Sequence, residues 1–293
     1  MRSRVAYVVL SVALGAVGLS ACGGNVVVDP AEGTGAGGQG SPTRSSANTT
    51  ATATGTSTAT GTGGSGGSGL IEQLCPDVAA EPHHCVTVGH DTLTLISPDT
   101  GNRCVLTQLQ ASFSTDVSSI ALRADHVYIC TEASMLQIAI VDGSISEAAI
   151  PCGAVTSYQG GLLVKPPLSP DPAKELYHYA SFEDVIANVP SQILGIEDSN
   201  TRMTARGNTL FTAWHSGSEA SLFDLPSGQP LMPLFLQGFD DWFNGLAATD
   251  DNRFIVLSSG NRLATFDSTT GELLQDVFPS GDLVSGLHCI FKP

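Results

Sequence analysis

The sequence predicts an all-β fold assembled from one repeated sheet, and three observations carry that expectation. From Leu70 onward, strand-like runs of four to six residues recur between Gly, Asn, Asp, Ser and Pro. No apolar pattern with a helical period extends beyond about ten residues. An apolar strand closed by a turn that ends in glycine also returns along the chain, most clearly within Asn244 to Leu274, NGLAATDDNRFIVLSSGNRLATFDSTTGELL.

The amino terminus belongs to a different part of the molecule. Met1 to Arg4 is basic, Val5 to Gly18 is apolar, and Leu19-Ser20-Ala21 places small residues before Cys22. That layout is a secretory signal peptide over 1–21, since the apolar run falls short of the about 20 residues that cross a bilayer core. Leu19-Ser20-Ala21-Cys22 followed by Gly23-Gly24 resembles the lipobox of bacterial lipoproteins. The resemblance implies cleavage before Cys22 and attachment of diacylglycerol and further acyl chains such as palmitate to that residue, anchoring the chain in a membrane without a protein span. Gly23, in place of the Asp that marks inner-membrane retention in some Gram-negative families, directs the expectation to the outer membrane.

Residues 22–69 are dominated by Gly, Thr, Ser and Ala. Such a composition buries too little apolar surface to offset ordering entropy, so it reads as a disordered tether with an average reach of roughly 40 Å. Gly63-Gly64-Ser65-Gly66-Gly67 matches the nucleophile-elbow pattern of hydrolases, but that elbow needs a strand before the serine and a helix after it. Here the match follows from composition.

Residues 70–293 carry the repeat. Leu263 to Gly271 matches Ser221 to Gly228 and Leu93 to Gly101; Ile138 to Gly143 is a shortened copy, and Tyr177 to Asp184 a degenerate one. From Gly101 to Gly271 the four steps average 42.5 residues. A period of this length with several short strands is the signature of a β-propeller, in which each four-stranded blade is buried only by its neighbours. The segment resembles the broad WD40, YVTN and quinoprotein-like propellers, with neither a WD dipeptide nor a Trp-docking motif, so the resemblance implies architecture and no activity. The length of 70–293 gives five blades; six, the alternative, would need about 30 more residues. A β-sandwich does not explain the spacing. Ser285 to Cys289 aligns with Asn244 to Ala248, the first strand of a blade, and the first copy lacks such a strand. The carboxy terminus is therefore expected to complete it and close the ring.

Beyond Cys22 there are six cysteines, Cys75, Cys85, Cys104, Cys130, Cys152 and Cys289. An even number in an exported chain predicts disulfides, with Cys289 pairing to Cys75 or Cys85 across the closure. No C-x-x-C occurs, and His83-His84-Cys85 alternates faces along a strand, so no metal site is expected there. The formal charge of −16 becomes −18 once Arg2 and Arg4 leave with the signal, which excludes nucleic acid as a partner.

Candidate binding residues come from position within the repeat. Asp198, Asp241 and Asp282 lie five residues before the apolar start of a blade's first strand, and Asp116 lies four before it. In a propeller these connections flank the channel mouth, so the carboxylates form a candidate site for a cation such as Ca²⁺ or for a basic ligand; local turn chemistry also explains aspartate there. Phe235, Phe239, Trp242 and Phe243 form an aromatic patch suited either to a glycan or protein contact or to packing between blades. Lys165 to Tyr179 is a Pro-rich excursion in the third unit. No Ser, His and Asp arrangement identifies a nucleophile. The functional expectation is a lipid-anchored extracytoplasmic binding or scaffold module with a protein or glycan partner; the alternative is a carbohydrate-active hydrolase using paired mouth carboxylates.

Overall fold

The computed structural model describes residues 68–112, 117, 119–131, 134–167, 174–282 and 284–293. Cys22, the signal peptide and Asp116 lie outside them. Two short helices, α1 (Ser68–Leu74) and α2 (Pro76–Ala79), lead into the first blade, β1 (His83–Val88), β2 (Thr92–Ile96) and β3 (Arg103–Gln108). The second blade is β4 (Ile120–Arg123), β5 (His126–Cys130), β6 (Met135–Ala139) and β7 (Ile145–Ala148). The third is β8 (Ala154–Tyr158), β9 (Gly161–Lys165), β10 (Leu176–Tyr179) and β11 (Gln192–Leu194), with helix α3 (Phe182–Ala187) between the last two.

In the fourth blade, β12 (Arg202–Arg206) and β13 (Thr209–Ala213) are followed by the short β14 (Ser216–Gly217), then β15 (Glu219–Asp224), β16 (Gln229–Pro230) and β17 (Leu234–Phe235). The fifth is β18 (Asp241–Ala248), β19 (Arg253–Ser258), β20 (Leu263–Asp267) and β21 (Leu273–Val277). The final strand, β22 (Ser285–Phe291), pairs antiparallel with β1 and becomes the innermost strand of the first blade. All five sheets are antiparallel and the innermost strands touch in cyclic order, β22, β4, β8, β12, β18 and back to β22. The chain is a five-bladed β-propeller.

The core lies between blades. Five apolar clusters occupy the five interfaces, from the first and second blades round to the fifth and first. The second strand of each blade explains this arrangement. In β19, Phe254 and Val256 point into the interface with the fourth blade, whereas Ile255 and Leu257 point into that with the first. Because successive residues face opposite ways and both faces are covered, these strands read as continuous apolar runs.

The repeating glycine has a steric cause. Gly101, Gly143, Gly228 and Gly271 all have φ between 68° and 78°, and each N–H donates to the carbonyl four residues back. A Cβ on Gly143 would strike the carbonyl of Gln108; on Gly228, that of Gly195; and on Gly271, that of Phe235. At Gly101 a Cβ would meet Pro279 only at ordinary contact distance, and the positive φ alone favours glycine there. Each turn thus packs on the chain leaving the preceding blade. The third blade departs from the pattern: α3, capped at its start by Ser181, ends on Asn188 in the left-handed region at φ 52°, which is why that copy is faint in sequence.

Covalent and ionic contacts secure the closure. Cys85 is bonded to Cys289, joining β1 to β22, and the other pairs are Cys75–Cys104 and Cys130–Cys152. With a sequence separation of 204, the Cys85–Cys289 bond lowers the entropy of the unfolded chain by an amount equivalent to about 5 kcal/mol. Beside it, His83 Nδ1 lies 2.8 Å from Asp99 and Nε2 lies 2.8 Å from Asp251 of the fifth blade. Arg253 pairs with the same two carboxylates at 2.9 and 3.1 Å, and the His83 ring stacks on Phe291 of β22.

Two predictions follow from these contacts. Gly271→Ala combines a left-handed backbone with a backbone clash and should cost about 3 kcal/mol or more in urea unfolding. Gly160→Ala, at φ 73° with nothing within 4 Å of the added Cβ, should cost only about 1 kcal/mol; equal losses would refute the interblade role of the turn.

His288, on β22, loses its hydration inside the ring and is pushed down to about 4. Unfolded histidine titrates near 6.5, so on acidification the unfolded chain takes up the proton first. This contribution to stability is complete above about pH 6.5 and is lost progressively towards pH 4. His84, lowered chiefly by burial, acts with the same sign. Melting temperature should therefore fall across that window, and His288→Gln should flatten the fall; an unchanged profile would assign it elsewhere.

Candidate functional site

One end of the ring is shaped by the residues that start the inner strands and finish the second strands. There Cys130 at the end of β5 and Thr131 after it, Cys152 and Gly153 before β8, Lys165 at the end of β9, Pro166 and Pro167, Asn200 to Arg202, His215, Trp242 and Asn244 wall a cavity of ≈ 460 Å³. Contributions come from the second to the fifth blades, so the cavity exists only in the assembled ring.

Its base is a buried polar network. Lys165 and Asp198 have side chains only 2 % and 4 % exposed and meet at 2.6 Å. The Lys165 ammonium also donates to the carbonyl of Asn200 at 2.5 Å, while Asp198 Oδ1 accepts from the Asn200 N–H and from Thr212 Oγ1, each at 3.2 Å. Asn200 Nδ2 donates onward to Thr212 Oγ1 at 2.8 Å. Burial lowers the affinity of Lys165 for its proton, against the opposing pull of Asp198. The pair fixes the connection between the third and fourth blades, and its desolvation cost is offset by these additional hydrogen bonds.

The rim is aromatic. β14 leaves the fourth blade to pair with the start of β18, setting Ser216 opposite Trp242, and the Phe243 N–H donates to the His215 carbonyl at 2.9 Å. This crossing places the His215 ring 4.9 Å from both Trp214 and Trp242. The two tryptophans are the only ones in the chain and are 43 % and 56 % exposed. Arg202, the first residue of β12, is held by its Nε donating to the Phe243 carbonyl at 3.0 Å.

The aspartates singled out by the repeat have separate fates. Asp198 is committed to Lys165. The Asp241 carboxylate accepts from the Trp242 N–H at 2.7 Å. Asp282 lies in a second cleft of ≈ 450 Å³ between the first and fifth blades, where its backbone carbonyl accepts from Arg103 and Asn261. These three carboxylates do not form one ligand set, and among the described residues no group of three or more His, Cys, Asp or Glu side chains is placed to hold a metal ion. Nor does any described Asp or Glu line the ≈ 460 Å³ cavity, so the paired carboxylates of the hydrolase expectation do not face one another there.

The aromatic patch divides: Phe239 and Phe243 are buried between the fourth and fifth blades, whereas Phe235 and Trp242 are exposed. Of the Pro-rich excursion, Lys165 to Pro167 line the cavity. Arg202 and the partner of Asp198 were not found by sequence reasoning, because the repeat marks Asp198 by its position and leaves no trace of its pairing with Lys165; the rarity of tryptophan was the available signal for the rim.

No protein-family model and no curated protein matches the chain. Among solved structures, a chain of a nidogen/laminin complex aligns with 71 % of this chain and 98 % of its own length, at 10 % identity and TM-score 0.48. Glutaminyl cyclase of Myxococcus xanthus aligns over 66 % and 77 %, at 10 % identity and TM-score 0.45. BamB from Moraxella catarrhalis aligns over 70 % and 63 %, at 15 % identity and TM-score 0.31. The five-bladed assignment rests on the sheets and interfaces of this chain itself.

Asp198→Ala would leave the Lys165 ammonium buried without its counter-charge. A loss of about 3 to 5 kcal/mol is expected in urea unfolding at neutral pH, with partial recovery when Lys165→Met is added. A silent single variant would show that the pair does not hold the connection.

Proposed function

We propose that the chain is a lipid-anchored binding module of the cell envelope, attached through Cys22 to the outer membrane and presenting the aromatic mouth of its propeller to a partner. The observation that carries the binding role is the cavity itself: concave, of small-ligand size, walled by Lys165, Arg202 and an exposed Trp242. Three disulfides support an oxidising compartment, in agreement with the signal-peptide pattern. A rigid closed ring with function concentrated in its connections fits a binding or scaffold role, and a tether of residues 22–69 gives that ring reach from the lipid surface.

Cys22→Ser should move the chain from the membrane to the soluble envelope fraction and abolish labelling by a palmitate analogue. In the full chain, a photo-crosslinking residue at position 242 should capture a discrete envelope component that the same residue at Leu274, on the outer strand of the fifth blade, does not. Equal labelling from both positions, or none from 242, would overturn the assignment of binding to the mouth.

A further inference from the structure

We infer that the mouth takes an uncharged hexose chain, with one pyranose ring lying on the indole of Trp242; this rests on the mouth being the binding site. The first observation is that the charged side chains of the wall are already engaged. Lys165 is buried and matched by Asp198 at 2.6 Å. Arg202 is held through Nε on the Phe243 carbonyl and through Nη1 on Thr201 Oγ1. A charged ligand would have to displace these contacts before it gained a partner, and opening a buried pair leaves its remaining member uncompensated. Recognition here falls to uncharged surface.

The form of the aromatic surface is the second. His215 lies between Trp214 and Trp242, its ring centroid 4.9 Å from each, at interplanar angles of 49° and 37°. Neighbouring rings this close and tilted leave no slot for a planar ring to enter, so a ligand meets the bank from one side. Both indoles are exposed, and one-sided contact with a flat apolar surface suits the C–H face of a pyranose, whose hydroxyls stay at the edge of the contact. Trp242 walls the cavity together with Asn200 and Asn244, whereas Trp214 lies outside that wall. The aromatic track thus continues beyond the cavity, which favours a chain of sugar units over a single one. It is also fixed before binding, because Ser216 pairs with Trp242 and the Phe243 N–H donates to the His215 carbonyl, so little ordering opposes association. A proline-rich peptide also packs on indoles, but its recognition uses a groove lined along its length by aromatic rings; here three contiguous rings form a single bank beside a compact cavity.

Because Trp214 and Trp242 are the only tryptophans, their emission reports the mouth directly. Full-length chain in detergent would be titrated with neutral hexose tetrasaccharides of differing linkage, with glucose, with an oligoglucuronate of the same length and with a proline-rich peptide. At least one neutral tetrasaccharide should shift the emission and bind about ten-fold tighter than glucose. Its affinity should change less than about two-fold between about 50 mM and about 500 mM salt, since no charge pair forms. Followed by calorimetry, Trp242→Ala should weaken binding about ten-fold, Trp242→Phe should retain part of it, and Trp214→Ala should reduce the advantage of the tetrasaccharide over glucose. No response to any neutral sugar, glucose bound as tightly as the tetrasaccharides, or the oligoglucuronate bound more tightly than they are, overturns the inference. Binding of the proline-rich peptide in place of the sugars, lost in Trp242→Ala, overturns the sugar class and leaves the mouth as the binding site; sugar binding unaffected by Trp242→Ala overturns both.

Discussion

The pairing of β22 with β1 is the constraint on which the rest of the molecule depends. Without it the first blade lacks its inner strand, the interface between the fifth and first blades loses Leu287 and Cys289, and the ring has two open edges. Closure is reinforced at several levels: by the strand ladder, by the Cys85–Cys289 bond and by the charges around His83. Each holds blades that are distant in sequence, so the loop-closure entropy of nearly the whole domain falls on this one seam. The inner strands are also crowded here. Gly245 of β18 lies against Gly286 and Leu287 of β22 so closely that a side chain at 245 would meet the backbone of Gly286.

The same crowding explains what the sequence made legible. Turn glycines at 101, 143, 228 and 271 recur because each has a left-handed backbone, and at 143, 228 and 271 a backbone carbonyl also occupies the space a Cβ would need, so the demand is printed at fixed spacing. Asn244 to Ala248 and Ser285 to Cys289 align because they occupy equivalent inner strands, which identified the closing strand and narrowed the partner of Cys289. The third blade was faint because α3 and Asn188 meet the same need by another route. Pairings of individual side chains left no such trace. Cys75 with Cys104 ties the leading helices to the first blade, and Cys130 with Cys152 and Lys165 with Asp198 tie strands to the connections that follow; each is set by three-dimensional juxtaposition.

The aspartates show where repeat logic ends. Asp198, Asp241 and Asp282 were aligned because the connection before an inner strand favours aspartate, yet one neutralises a lysine, one caps a neighbouring N–H and one faces a different cleft. Equivalent positions in a repeat share backbone demands, whereas their side chains answer to the two adjoining blades, which differ at every interface. The mouth consequently owes its chemistry to non-repeated residues: Lys165 from the third blade, Arg202 and His215 from the fourth, and Trp242 from the fifth.

The Cys75–Cys104 bond sets the path of mechanical load. The chain arrives through α1 and α2, and Cys75 between them is joined to β3, the outermost strand of the first blade. A pull delivered through the preceding residues reaches that strand covalently before it can act on the start of β1. Tension is thus diverted to the perimeter, and the seam between β1 and β22 is left out of the line of force.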